Sequence, residues 1–194
     1  MPKCFNCGSP DFLDNGECVC CHVIADFNQE KAATLPPPVL NRQTMILQQA
    51  IVKHSADTEV TVPANTSLGL CFMNLRMFDK AIEAFEKAMP LSFDNPEPHF
   101  YAAVCLLKGR KPFLCGRKTI DKILEYANAA TMIDDRGIYH YFIAYVKQDY
   151  FARKCFKISP DWTQELSTAR KIGYSPADAA QLFKIIGVER PSEL

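Results

Sequence analysis

Residues 65–95 constrain this chain more than any other stretch. Leu68, Cys71, Phe72 and Leu75 recur at helical spacing, and Ala81, Ile82, Phe85 and Ala88 do the same after a tight turn. Neither segment can hide its apolar stripe alone, so the two must pack on each other as a pair of short helices. Gly69 and Ala81 are small and fall where two antiparallel helices would cross, which lets the backbones approach closely. Pro90 cuts the second helix short, because proline removes an intrahelical donor and clashes with the preceding turn. Such a pair still presents apolar surface outward, so neighbouring segments must supply the rest of the core.

Helical patterns do continue on both sides. Residues 40–54 read as a helix with Leu40, Leu47, Ala50, Ile51 and His54 on one face, followed by an expected break over 55–63. Pro96-Glu-Pro-His99 opens another helix, with prolines where a first turn tolerates them and Phe100, Ala103, Val104 and Leu107 inward. Residues 119–133 bury Ile120, Ile123, Leu124, Ala127 and Ala130. Residues 138–156 read as one long helix carrying Tyr139, Tyr141, Phe142, Tyr145, Tyr150, Phe151 and Phe156. That is more aromatic surface than one buried stripe needs, so Tyr139, Phe142 and Tyr145 are expected to line a partner-binding groove. Ser159-Pro160 and Ser175-Pro176 are start signals, with serine as N-cap and proline first in the helix; Gly173 and Gly187 are stops. Trp162, Leu166 and Ala169 then face inward, as do Ala179, Leu182, Phe183 and Ile186. Residues 188–194 are expected to fray. The fold class is mainly α, with about six to eight helices over 39–190.

Five of the nine cysteines crowd into the first 21 residues. Cys4-Phe-Asn-Cys7-Gly8 and Cys18-Val-Cys-Cys21 are two Cys-x-x-Cys steps separated by ten residues. Two thiolates three apart on a tight turn grip one ion, and two such turns complete a tetrahedral sulfur shell. Asp14-Asn15-Gly16 between them signals a short hairpin. Residues 1–28 resemble a zinc ribbon, which implies one structural Zn2+ held by Cys4, Cys7, Cys18 and Cys21; Cys20 or His22 remains an alternative ligand. Iron ranks lower, since the second step lacks the glycine that rubredoxins carry there. Around these cysteines Lys3 faces Asp11, Asp14, Glu17 and Asp26, the wrong balance for a phosphate backbone. Protein contact through Phe5, Phe12 or Val19 fits better. Residues 29–38 end in Pro36-Pro37-Pro38 and are expected to form an extended polyproline linker.

The paired segments at 65–95 resemble a tetratricopeptide repeat (TPR). Leu68-Gly69, Phe72, Phe78, Ala81, Phe85 and Ala88 match the spaced large and small residues of that family, while Asn65 and Phe93 depart from it. The resemblance implies an α-solenoid closed by its last two helices, and a non-enzymatic adaptor that holds a peptide or helix of a protein partner. Thr66, Leu70, Phe100 and Val104 stand where some family members clamp an acidic chaperone tail. They cannot form such a clamp, so an apolar groove is expected. Residues 108–118 hold Lys108, Arg110, Lys111, Arg117 and Lys118 with no acid, longer than a TPR turn. Arg110, Lys111, Arg117 and Lys118 are candidate contacts for an acidic or phosphorylated partner. Together with Arg153, Lys154 and Lys157 they define the alternative, a nucleic-acid-binding surface, which requires the two basic stretches to share a face.

Other classes find little support. The formal net charge is zero, which gives no global pull toward nucleic acid or an anionic membrane. No run of eighteen apolar residues appears, and no signal-peptide core follows Met1, so the expected location is the cytoplasm. Phosphate loops, dinucleotide fingerprints and nucleophile elbows are missing. A nucleophile pair such as Cys105 with His99 or His140 has no local support, and Asp134-Asp135 reads as a cap or turn. No enzyme and no small-molecule substrate are expected.

Overall fold

The computed structural model describes residues 4–14 and 16–194. Among these the chain is mainly α, with nine α-helices and no named strand. It divides into two compact units, residues 1–92 and 93–194.

The first unit holds the cysteine segment and helices α1 (Gln29–Thr34), α2 (Pro37–Lys53), α3 (Thr58–Asn74) and α4 (Phe78–Ala88). Helix α3 is its axis: every residue from 64 to 73 is buried, and α2 and α4 pack against it. A helix buried all round has no polar face, and its few polar side chains turn back on their own backbone. Asn65 Nδ2 donates to the Thr61 carbonyl at 2.7 Å and Thr66 Oγ1 to that of Val62 at 3.0 Å. Pro63 lies inside α3, so the expected break over 55–63 shrinks to a short turn capped by the Asp57 side chain. The crossing expected at Gly69 is present: a Cβ there would sit 2.4 Å from the Phe85 ring of α4. Helix α4 ends at Ala88, and Pro90 lies in a 3-10 turn beyond it.

The proline segment departs from expectation. Only Pro36 is extended, as the N-cap of α2, while Pro37 and Pro38 form its first turn. Proline lacks a donor that this turn does not need, so the run starts a helix rather than a polyproline spacer. Before it, α1 is capped by Asn28 and tied to α3 by a reciprocal amide pair: Asn74 Nδ2 donates to Gln29 Oε1 at 3.0 Å, and Gln29 Nε2 to Asn74 Oδ1 at 3.4 Å.

The second unit contains α5 (Glu97–Cys105), α6 (Arg117–Ile133), α7 (Gly137–Val146), α8 (Trp162–Ile172) and α9 (Pro176–Ile186). The predicted inward faces of α5, α6 and α9 are buried as read. The long aromatic helix is interrupted: after Val146 the chain widens into a π-type turn, Lys147–Ala152. The cap of α8 falls two residues later than expected, at Asp161, whose side chain and Gln164 form a capping box. Ser175 and Asp178 form the second box, and Gly187 closes α9 in a left-handed conformation. Helices α7 and α8 meet so closely that a Cβ on Gly137 would lie 2.2 Å from the Gly173 carbonyl oxygen. Buried Lys147 donates to Glu165 Oε1 at 2.7 Å and to the Pro160 carbonyl at 2.8 Å, while His140 Nδ1 meets Glu165 Oε2 at 2.7 Å. The tail does not hang free: Leu194 is buried and Arg190 donates to its carbonyl.

Candidate metal centre

The two Cys-x-x-Cys steps fold into matching turns. Gly8 N–H donates to the Cys4 carbonyl at 2.8 Å, and His22 N–H to that of Cys18 at 2.9 Å. In each turn the residue after the second cysteine takes positive φ: +74° at Gly8 and +62° at His22. The turns are held face to face by a hydrogen bond from the Leu13 N–H to the Glu17 carbonyl at 2.8 Å and by isolated antiparallel bridges pairing Phe12 with Cys18 and Glu17 with Ile24. Asn15 lies outside the described residues.

This geometry brings four sulfurs together. The Sγ atoms of Cys4, Cys7, Cys18 and Cys21 all lie within 4.8 Å of one another, with Cys4 to Cys21 at 3.4 Å and Cys7 to Cys18 at 3.5 Å. Those separations are far beyond a disulfide bond of about 2.05 Å. They bracket the edge of a tetrahedron, about 3.8 Å, that metal–sulfur bonds of about 2.3 Å would give. The four donors therefore fit a metal ion. Burial opposes ionisation of Cys18, but the backbone N–H groups of Cys21 and Cys20 and the neighbouring thiols outweigh it and bring its pKa down to about 6. Burial pushes the Cys4 and Cys21 thiols up instead. One thiolate thus forms readily, and a cation is what would strip the other protons.

Neither alternative ligand joins the set. Cys20 is exposed, with its Sγ 3.5 Å from Ser9 Oγ, and His22 Nδ1 meets Glu17 Oε1 at 2.9 Å. Phe5 and Phe12 pack inward on Cys4, Cys18 and Val23, leaving Leu13 and Val19 as the exposed apolar residues of the segment.

Docking of this segment onto α2 was not readable in advance. Gln43, 1% exposed, accepts from the Ile24 N–H at 3.3 Å and donates to the His22 carbonyl at 2.7 Å. Arg42 donates to both Glu17 oxygens at 3.0 and 3.1 Å, and His54 Nε2 donates to the Asn6 carbonyl at 3.0 Å. The available signal was a glutamine inside the apolar stripe of Leu40, Leu47 and Ala50, since a polar side chain on a buried face demands a partner.

The expected partner-binding residues separate into two groups. Tyr139, Phe142 and Tyr145 are 3%, 0% and 1% exposed and line no groove. The Phe100 ring lies tilted on Tyr139 at 4.4 Å and meets Phe142 edge to face at 5.7 Å, and Phe183 sits 5.0 Å from Tyr145, so neighbouring helices consume these rings. Arg110, Lys111, Arg117 and Lys118 are exposed, with Arg117 paired to Asp121 at 2.8 Å. His140 is held between Asp135 and Glu165.

A four-cysteine knot able to hold a metal ion, on a helical body, is thus the class that fold and site define. Scans against family models, curated proteins and solved structures each return no match. No helix among the described residues is long and apolar enough to cross a membrane.

Proposed function

We propose that this chain is a non-enzymatic, zinc-stapled helical adaptor that binds a protein partner. The observation that carries the reading is the convergence of four cysteine sulfurs within 4.8 Å, on a segment docked to α2 through Gln43, Arg42 and His54. Tetrahedral sulfur coordination with no open position suits a structural zinc ion rather than a catalytic one. With all four thiols ionised, a divalent ion leaves the knot with a net charge of about −2, which suits a staple and not a phosphate reader. The α3 and α4 pair, with Gly69 under Phe85, supports reading this unit as TPR-like.

Burial of Tyr139, Phe142 and Tyr145 moves the partner-binding proposal to a different surface. Helix α2 turns Met45 and Val52 outward, 62% and 77% exposed, around a shallow apolar cleft lined also by Gln48, Gln49 and Lys53. Apolar side chains grouped on one exposed helix face are what an adaptor needs. Two measurements test the proposal. Metal analysis of the purified chain is expected to give one zinc per chain, and cobalt substitution the absorption of a tetrahedral four-thiolate site; a red iron-loaded protein would replace zinc with iron. A photo-crosslinker at Met45 is expected to capture a partner that M45E/V52E loses while keeping its zinc. Capture unaffected by that double variant would remove α2 from the proposal.

A further inference from the structure

The chain is neutral, but its charge is unevenly divided. Residues 93–194 hold 15 lysines and arginines against 12 aspartates and glutamates, a net of +3, while residues 1–92 hold 7 against 10. Much of the excess comes from two segments far apart in sequence that the fold brings into contact. The Phe113 N–H donates to Asp149 Oδ2 at 2.7 Å, and the Phe113 ring lies 4.4 Å from the Arg153 guanidinium and 4.9 Å from Lys154 Nζ. Arg117 lies over the Phe151 ring at 5.1 Å. The basic loop 108–118 is thereby seated on the basic stretch 153–157.

The acids within this surface are already engaged. Asp149 is buried and meets Arg153 Nη1 at 2.6 Å as well as the Phe113 amide, and Asp121 takes Arg117. Arg110, Lys111, Lys118, Lys154 and Lys157 are paired with no carboxylate among the described residues. Aromatic rings accompany the cations in an unbroken path. Lys154 Nζ lies 3.8 Å from the Tyr150 ring, and Tyr150 lies 6.3 Å from Phe156. Phe156, half exposed, then walls a cleft of about 380 Å³ with Phe151, Lys157, Ile158, Asp161 and Trp162.

We infer that this surface binds single-stranded nucleic acid, with Arg110, Lys111, Lys118, Lys154 and Lys157 on the phosphates and a base stacked in the cleft against Phe156 and Trp162. Unpaired cations displace counterions from a phosphate backbone, and exposed rings beside them offer stacking platforms that a duplex cannot use with its bases paired. Asp161 at the cleft rim, whose Oδ1 caps α8, offers its other carboxylate oxygen to a base amino group. An acidic peptide would need the cations but would leave the aromatic cleft unused. The proposal is independent of the adaptor reading, which concerns residues 1–92.

The test is fluorescence anisotropy on the full zinc-loaded chain, using a labelled single-stranded dT20, the matching duplex, and a polyglutamate peptide. Binding to dT20 is expected to weaken about a hundredfold between 50 and 200 mM NaCl, as about five phosphate contacts on a single strand require. K111A/K118A should reduce the salt slope by about 1.4. F156A should weaken dT20 binding about fivefold or more and leave the slope unchanged, which a purely electrostatic surface would not do. All three substituted residues are exposed, and coincident melting curves confirm that the variants fold. No binding at 50 mM NaCl overturns the proposal. So does equal binding of duplex and single strand with F156A silent. Polyglutamate binding as tight as dT20 would assign the surface to acidic proteins and overturn it as well.

Discussion

His22 occupies the place in the second cysteine turn that Gly8 fills in the first, at φ +62°. An L-residue there carries about 1–2 kcal/mol of strain. Here its ring offsets the strain by meeting Glu17, which Arg42 also holds. H22G should therefore stay within about 1 kcal/mol of the parent in chemical denaturation, since relief of strain balances a lost hydrogen bond of about 1 kcal/mol. H22V retains the strain, adds β-branching and loses the bond, so a loss of about 2 kcal/mol is expected. Both variants should bind zinc with parental stoichiometry, because His22 is not a ligand. Tyr145 gives a second residue-scale test. Its hydroxyl is buried and has no hydrogen-bond partner among the described residues. Y145F should leave stability unchanged or raise it by about 1 kcal/mol, because an unsatisfied buried polar group is removed. A drop beyond 1 kcal/mol in the urea midpoint analysis would mean the hydroxyl is bonded after all.

At the scale of elements, two contacts depend on what is missing or paired between helices. Gly69 lets α3 rest on the Phe85 ring of α4. G69A gains about 1 kcal/mol of helix propensity but overpacks a core at a cost of about 1–3 kcal/mol, so a net loss of about 1 kcal/mol is expected. Trimming the ring should rescue it: G69A/F85L is expected to be more stable than the sum of the two single variants predicts, measured as a double-mutant cycle. The α7 to α8 junction rests on Lys147 and Glu165, both nearly inaccessible. K147A leaves the buried Glu165 carboxylate with His140 as its remaining partner and should cost up to about 3–5 kcal/mol, whereas K147M/E165L should cost clearly less than K147A plus E165L. Thermal melts of the three proteins decide this, and strict additivity would show that the pair is not coupled.

For the molecule as a whole, a metal ion held by the four cysteines would be the largest single lever. Chelation should unfold the cysteine turns and lower the melting temperature of residues 1–92, because ligand binding and folding of such a knot are one equilibrium. The helices of residues 93–194, which contain none of the four ligands, should keep their circular dichroism signal. Acid should act like chelator. Protons compete with zinc for the four sulfurs, so metal affinity is expected to fall as pH drops from 7 to 5, measured by competition with a chromogenic chelator. A chain whose zinc and melting curve are both indifferent to chelator would remove the staple from the account. Together, the α2 face and the basic, aromatic surface of residues 93–194 would let one chain hold a protein and a nucleic acid.

Sequence alone determined what depends on neighbours within a few turns. The 3.6-residue periodicity of α4, α6 and α9, the Gly69 crossing, the Ser175 cap and both Cys-x-x-Cys turns are local patterns, and each appears where its residues place it. Tertiary structure decided everything that requires a distant partner. Aromatic abundance in α7 gave no sign of which rings other helices would cover, so Tyr139, Phe142 and Tyr145 read as a groove and are core. Three prolines are compatible with an extended spacer or with a helix start, and the amide pair of Gln29 with Asn74 favours the compact choice. Gln43 reaches the cysteine turns only because α2 lies beside them, and Phe113 meets Arg153 only because residues forty apart in sequence are folded together. Periodicity specifies which face of an element is apolar; the choice of what covers that face belongs to packing, which no local pattern encodes.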